Sequence, residues 1–448
     1  MRPGPVSEDT EVANAFEWLQ SCSRDSKHLA SRIAVAREHY RQNSSFADRQ
    51  WRSLDDLLLP ADPLASYLAL VDGFLRNSRL YDLRLGPRVI PLMKRIGAAI
   101  PDLRDMFGAK ERARRLVDTF HEHPDSGLFE LATAARYLRE DLDLEFIEET
   151  SEPTPDLRAV FPGAELQIEC KRLRPSDYEQ RESRLAQSLF DKFQTLVHER
   201  RLSVSLDVEF KKELHEVPQD YLVHRVEQAL NSRIFVRKDY PWSDEFADGS
   251  VCNANLYAVR EDVEDSYLLV GPKMGRLLSG RVVTEGSYFL AVGGAPCQFD
   301  PRFMDNIEYG SVVTWGCSSP NSVKARSRYV KTKLKEIDRQ TRAAPAAIAH
   351  VAMDAERDPH TSDQRFKKNQ ETVIGFRWDS RVMEIHLHYF LARTSEHDSW
   401  MIDETVDQFS AGHGAIIGNP AILVGEDNPL LDRRLPAWHQ PPPPHDVA

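Results

Sequence analysis

Glu169 and Lys171 stand two residues apart in Glu165-Leu166-Gln167-Ile168-Glu169-Cys170-Lys171. In an extended strand side chains alternate between faces, so this spacing sets a carboxylate beside an amine while Leu166, Ile168 and Cys170 turn to a core. Just upstream, Pro155-Asp156-Leu157-Arg158-Ala159-Val160-Phe161 reads as a second strand, and Pro162-Gly163-Ala164 as a tight turn between the two. A hairpin centred on Gly163 pairs positions whose numbers add to about 326, which brings Asp156 opposite residue 169 or 170. Two carboxylates and an ammonium group are thus expected at one end of a hairpin. Converging oxygen ligands suit Mg2+, and a cation relieves the repulsion between the acids. The matching chemistry is that of phosphate esters: the metal polarises the phosphate and activates a water, while Lys171 orients that water or offsets charge on the pentavalent phosphorus. The bland alternative is an exposed salt-bridged strand face, which contributes little to stability.

Residues from about 10 to 120 carry apolar positions at three- and four-residue spacing, as in Ala13, Phe16 and Leu19, then Leu64, Leu68, Val71 and Leu75. Pro60, Pro63, Pro87, Pro91 and Pro101 divide them into short helices. A helix is predicted from Ser126 to Glu140, with Ser126 as its cap. Strands follow at Leu142–Glu149, Asp156–Phe161 and Glu165–Leu173, a long polar helix at Asp177–Arg201, and a strand at Leu202–Phe210 in which Leu202, Val204, Leu206 and Val208 share a face. Beyond them a helix is predicted at 217–231, a loop-like acidic stretch around 239–266, a basic helix at Ser322–Arg342, and strands at 347–353 and 381–393. Tyr240-Pro241-Trp242 reads as a loop anchor, Gly293-Gly294 as a turn, and His386 and His388 as a polar strand face. The run Pro441–Pro444 marks a disordered tail.

Composition sets the frame. With 448 residues, 41% apolar and 29% charged, two or three globular domains are expected at roughly 150 residues each. No apolar run approaches the ~18 residues of a membrane helix, and residues 1–14 lack the pattern of a secretory signal. Cys22, Cys170, Cys252, Cys297 and Cys317 are scattered and never spaced as CxxC, which argues against a disulfide framework or structural zinc and for a cytoplasmic location. A net charge of -12 excludes nucleic-acid binding by bulk charge. A local basic surface must do it, and the helix at 322–342 offers one: eight Lys and Arg against Glu336 and Asp338, a net +6. Lys324, Arg328, Lys331 and Lys335 share its face and are candidate phosphate contacts. Arg172 and Arg174 add positive charge beside Lys171.

Pro155-Asp156 followed by Glu169-Cys170-Lys171 resembles the PD-(D/E)XK signature of the restriction-endonuclease-like nucleases. That resemblance, over roughly residues 120–210, implies a core of helix, three strands, helix and strand. It also implies that Asp156 and Glu169 are ligands of Mg2+ or Mn2+, that the Cys170 main-chain carbonyl is a further ligand, and that Lys171 acts on the water. Many members carry an acid on the first helix, and Glu130, in Leu128-Phe129-Glu130-Leu131-Ala132, fits that position. Where some branches place a glutamine soon after the lysine, Arg172 follows here; Gln187 and Gln194 lie on the next helix.

The expected architecture is therefore an α/β nuclease core with a mixed sheet at 121–215, an N-terminal all-helical domain at 1–120, a C-terminal α+β extension at 216–430 and a tail at 431–448. The expected activity is phosphodiester hydrolysis of nucleic acid, DNA first, as in restriction or antiviral defence effectors. The alternatives are an inactive nucleic-acid- or protein-binding module on the same fold, and an RNA-directed nuclease. A homo-oligomer or a protein partner bound through the helical domain is compatible with this layout.

Overall fold

Asp9 and Asp25 accept the N–H groups of Val12 at 3.1 Å and His28 at 2.9 Å, and so cap α1 (Thr10–Cys22) and α2 (Ser26–Asn43). Helices α3 (Pro63–Arg76), α4 (Gly86–Ala98), α5 (Ile100–Asp105), α6 (Ala109–Asp118) and α7 (Pro124–Leu138) follow. The computed structural model describes residues 9–44, 57–76, 81–82, 85–120, 123–139, 142–148, 154–161, 164–232, 239–265, 268–281, 283, 286–298, 303–355, 359–376, 380–394, 400–411, 416, 423–424 and 436–439. Within them the fold is mixed α/β with two mixed sheets.

The first sheet has the order β1-β2-β3-β10-β11-β12: β1 (Asp143–Phe146), β2 (Leu157–Phe161), β3 (Ala164–Arg172), β10 (Ala347–Asp354), β11 (Val382–Thr394) and β12 (Trp400–Ser410). β1, β2 and β3 form an antiparallel meander; β10 is parallel to β3, β11 parallel to β10, and β12 antiparallel to β11. One face carries Leu166, Ile168, Cys170, Ile348 and Phe390 into a single apolar core with the helices from Val12 to Tyr137. The N-terminal helices and the sheet thus bury one another's apolar faces instead of forming separate cores. The other face, with Leu173, Ala349, Val351 and Leu387, packs against α12 (Pro320–Gln340). Alongside α12 lies α13 (Pro359–Ile374).

Between β3 and α12 the chain builds a second sheet, of order β5-β6-β4-β9-β7 with β8 beside β9. It contains β4 (Val204–Phe210), β5 (Tyr240–Ser243), β6 (Ala247–Asn253), β7 (Leu268–Leu269), β8 (Tyr288–Pro296) and β9 (Phe303–Cys317). Helices α8 (Asp177–Arg200), α9 (Tyr221–Asn231), α10 (Leu256–Asp265) and α11 (Pro272–Ser279) accompany it. A capping box between Ser176 and Glu179 starts α8.

Several expectations are corrected here. Val204–Phe210, read as the strand closing the core, lies in the second sheet, parallel to β9; the strand beside β3 is Ala347–Asp354. Val204–Phe210 alternates apolar with polar residues and Ala347–Asp354 is a nearly continuous apolar run, yet neither pattern names the strand it pairs with. The 121–215 and 216–430 boundaries give way with it, since residues 347–410 return to the first sheet. Helix α7 starts at Pro124 with no side-chain cap, so Ser126 lies inside its first turn. The stretch 239–266 holds β5, β6 and α10 instead of a loop, and Trp242 of β5 donates its indole N–H to Tyr221 at 3.0 Å. Gly293 and Gly294 sit inside β8 at a register shift, where a Cβ on Gly294 would meet Asn306 O at 2.0 Å. The Pro162-Gly163 turn and the proline run fall outside the described residues.

Candidate active site

Pairing in the β2–β3 hairpin runs from Phe161 with Ala164 to Leu157 with Ile168, so Asp156 falls just past the end of the ladder, level with Glu169. Its main chain continues the pairing in part, donating N–H to Ile168 O at 3.1 Å and accepting Ile147 N–H at 3.0 Å. Its carboxylate Oδ2 accepts the Cys170 N–H at 2.8 Å. Gln167 and Leu173 donate their N–H groups toward β10, to Ala346 O and Ala352 O. By the alternation of a ladder, the Cys170 main chain faces the opposite side, where β2 has ended. The Cys170 carbonyl is therefore directed to the same open flank as the Asp156 carboxylate.

Glu130 comes to this flank on α7, where Leu131, Ala132, Thr133, Ala134 and Ala135 are all buried. Small residues there allow a close approach of helix to sheet. Between Glu130 and Asp156 stands a group the sequence reading missed. Arg112 Nε lies 2.5 Å from Glu130 Oε2, and its Nη2 lies 2.6 Å from Asp156 Oδ1. Helix α6 is held against β1 for this purpose. Phe146 donates its N–H to Phe107 O at 3.0 Å, and Gly108, at φ 81°, leaves no room for a Cβ, which would lie 2.8 Å from Phe146 Cβ. The guanidinium also sits 5.7 Å from the Phe146 ring centroid.

Because Cys170 faces α7, Glu169 and Lys171 leave β3 on the other face, with Leu173. The four predicted groups thus do not share one strand face. They do share one electrostatic neighbourhood. Burial, and next the charge of Asp156, push both Glu130 and Glu169 up to about 8. Burial alone would lower Lys171, but Glu169, Asp156 and Glu130 outweigh it and raise the ammonium pKa. Lys171 makes an ion pair with Glu169 Oε1. Glu169 is 0% exposed, and beyond that ion pair its carboxylate meets no donor among the described residues, Oε2 having none at all. A buried charge so placed is costly unless a cation or further donors compensate it.

The tightest ligand-like group among the described residues is elsewhere: Glu213, His215 and Glu216 bring their ligand atoms within 4.8 Å of one another. They sit on a surface turn, and Glu213 already accepts from Tyr178 at 2.9 Å and Asn321 at 3.0 Å.

Of the predicted phosphate contacts, Lys324, Arg328, Lys331 and Lys335 are exposed along α12, and Arg339 and Arg342 extend the same three- and four-residue spacing. Val323, Ser327, Val330, Leu334 and Ile337 bury the opposite stripe. Arg172 is corrected: its side chain is only 8% exposed, it pairs with Asp354, and it lies 5.3 Å from the Phe390 ring centroid. It holds the ends of β3, β10 and β11 together. Arg174 reaches Asp125 at 3.3 Å and stays one-third exposed. Gln187 and Gln194 are engaged on α8, with Asp191 at 2.7 Å and His198 at 3.2 Å.

His386 and His388 are wholly buried, not a solvated strand face. With His350 they form a stack, His350 lying 4.7 Å from His386 and 5.1 Å from His388 between ring centroids. A polar chain runs through it: Tyr137 Oη to His350 Nε2 at 2.8 Å, His350 Nδ1 to His388 Nε2 at 2.9 Å, and His388 Nδ1 to Glu404 Oε1 at 2.7 Å. Leu423 and Val424 donate their N–H groups to Glu404 Oε2 at 2.9 and 2.6 Å. The carboxylate is an acceptor, so His388 donates to it through Nδ1 and accepts at Nε2. His350 then donates through Nδ1, and Tyr137 donates to His350 Nε2. This assignment follows from the network, with His350 held neutral by its burial. A His within the apolar run Ile348-Ala349-His350-Val351 was the available sequence signal.

No family model matches this chain, and no curated protein or solved structure proves similar to it. Among the described residues no helix is long and apolar enough to cross a membrane.

Proposed function

We propose that this chain is a metal-dependent nuclease of the PD-(D/E)XK kind, hydrolysing phosphodiester bonds in nucleic acid, with DNA as the leading substrate. One observation carries the reading: the Glu169 carboxylate is fully buried, with Lys171 paired to Oε1, the charge of Asp156 close by, and no donor to Oε2 among the described residues. The order of elements supports it. With residues 173–319 set aside, the chain runs helix Pro124–Leu138, three strands, helix Pro320–Gln340, strand Ala347–Asp354.

The donor set is all oxygen and carries surplus negative charge, which fits Mg2+ or Mn2+. Asp156, Glu169 and the Cys170 carbonyl would hold the ion, with Glu130 completing its surroundings. When bound, such an ion supplies Lewis-acid polarisation of a phosphate oxygen and an activated water. The raised pKa of Lys171 keeps it an ammonium at neutral pH, so its role is to offset charge developing on the phosphate and to donate hydrogen bonds. The exposed stripe from Lys324 to Arg339, about 22 Å long at 1.5 Å per residue, tracks a phosphate backbone.

A second reading has its own observation. Arg112 already engages Glu130 and Asp156, as in a nucleic-acid-binding module that lacks catalysis. Digestion of plasmid DNA, single-stranded DNA and RNA, with and without Mg2+ or Mn2+, separates the two. Metal-dependent cleavage supports the nuclease, and binding to these substrates without any cleavage supports the module.

A further inference from the structure

Between α12 and α13, beyond the carboxyl ends of the parallel strands β3 and β10, lies a cavity of about 100 Å³. Open α/β sheets bind ligands in this position. A single water needs about 10–15 Å³ on this measure, so the space admits a group the size of a phosphoryl. Three of its lining side chains are polar and almost wholly buried: Ser327 at 3%, Ser362 at 5% and Asn369 at 5% exposure. Ser327 Oγ and Asn369 Oδ1 have no hydrogen-bond partner among the described residues. The Asn369 amide nitrogen is spent on Tyr389 Oη at 3.3 Å, leaving its oxygen for an incoming donor. Native buried polar groups are rarely left so.

Arg174, Arg326 and Arg365 line the same cavity, against Glu179 and Asp354. Arg326 is fixed by Glu179 at 3.1 Å and by Glu182, and Arg174 by Asp125. Guanidinium groups held in place match phosphate oxygens in planar, two-point contacts. The Ser327 hydroxyl can donate to a phosphate oxygen, whereas Asn369 Oδ1 requires a hydroxyl or amino donor from the organic part of the ligand. We propose that this cavity binds a hydroxylated phosphate monoester, such as a sugar phosphate or a nucleotide. The inference does not depend on the nuclease reading, because binding is measured without metal and without cleavage.

The test is calorimetric titration of the full chain with inorganic phosphate, ribose 5-phosphate and the four nucleoside 5′-monophosphates. Ribose 5-phosphate or a nucleotide is expected to bind at least ten-fold tighter than inorganic phosphate. Arg365→Gln is expected to weaken that binding ten-fold or more, and Asn369→Leu to abolish the preference over inorganic phosphate. Ser327→Ala, the mildest change, is expected to weaken binding several-fold with the melting temperature retained, and it decides the matter if the other variants fail to fold. Absence of binding by every phosphate tested overturns the proposal. So does equal binding of inorganic phosphate and the esters, or binding unchanged in the folded variants.

Discussion

Arg112 Nη2 lies 2.6 Å from Asp156 Oδ1, and the other oxygen of that carboxylate accepts the N–H of Cys170 at 2.8 Å. Asp156 thus ties α6 to β3 next to Glu169 and Lys171. The side chains of Arg112, Glu130 and Asp156 are only 13, 12 and 10% exposed, so removing the cation leaves two nearly buried acids facing each other. Arg112→Leu is expected to destabilise the protein by on the order of 3 kcal/mol, read as a lower denaturation midpoint, and added Mg2+ is expected to recover part of the loss. An unchanged midpoint contradicts the bridging role.

Glu130 and Glu169, ordinarily near 4.5, rise to about 8 through burial and the charge of Asp156. A carboxyl whose folded pKa exceeds its unfolded value favours the folded state while protonated. That contribution is full below about 4.5 and is lost as pH rises through about 8. A cation bound to the same oxygens must displace those protons. Mg2+ affinity is therefore expected to increase from pH 6 to pH 8, with proton release visible when the titration is repeated in buffers of different ionisation enthalpy. Affinity that is flat across this range would show that the two glutamates are not ligands.

The buried histidines act in the opposite sense. Burial, and then the neighbouring histidines, hold His350 well below its usual 6.5; burial also lowers His386, against the pull of Glu384. Their contribution is present above pH 6.5 and lost as pH falls below it. Tyr137→Phe removes the donor to His350 Nε2 and is expected to cost about 1–3 kcal/mol, a loss that shrinks if a water takes the place of the hydroxyl. Thermal melts at pH 5.5 and 7.5 check both points. Wild-type stability insensitive to that change contradicts the neutral-histidine chain.

The basic stripe makes a claim about salt. Each phosphate contact contributes about 0.9 to the slope of log affinity against log salt on duplex DNA. Replacing Lys324, Arg328, Lys331 and Lys335 by Gln is expected to weaken binding to duplexes of any sequence alike and to shrink the slope by up to that amount per residue. Binding of the variant with the wild-type slope removes α12 from the interface.

Much of the local structure was legible because it rests on short-range rules. Alternation around Leu166, Ile168 and Cys170 marked β3, and the three- and four-residue spacing of Lys324, Arg328, Lys331 and Lys335 marked α12. The near-register of the hairpin followed from reading Pro162-Gly163-Ala164 in the sequence as the turn. What stayed hidden is non-local. Val204–Phe210 alternates and Ala347–Asp354 is buried almost throughout, but the pairing of either with β3 or β9 is set by contacts more than 100 residues apart in the chain, which no local pattern specifies. Arg112 lies 44 positions from Asp156 and His350 lies 38 from His388, and no spacing rule links residues brought together by packing. Arg172 looked available for phosphate because charge was counted without burial.

The most direct measurement is cleavage by Asp156→Asn and Lys171→Gln beside the wild-type chain, with Mg2+ and with EDTA, after confirming that all three melt alike. The account predicts metal-dependent breakage of phosphodiester bonds by the wild type and a loss of 100-fold or more in each variant, on the order expected for removing one electrostatic or proton-handling group. Cleavage retained in both variants, or no cleavage of any DNA or RNA by the wild type with either metal, contradicts it.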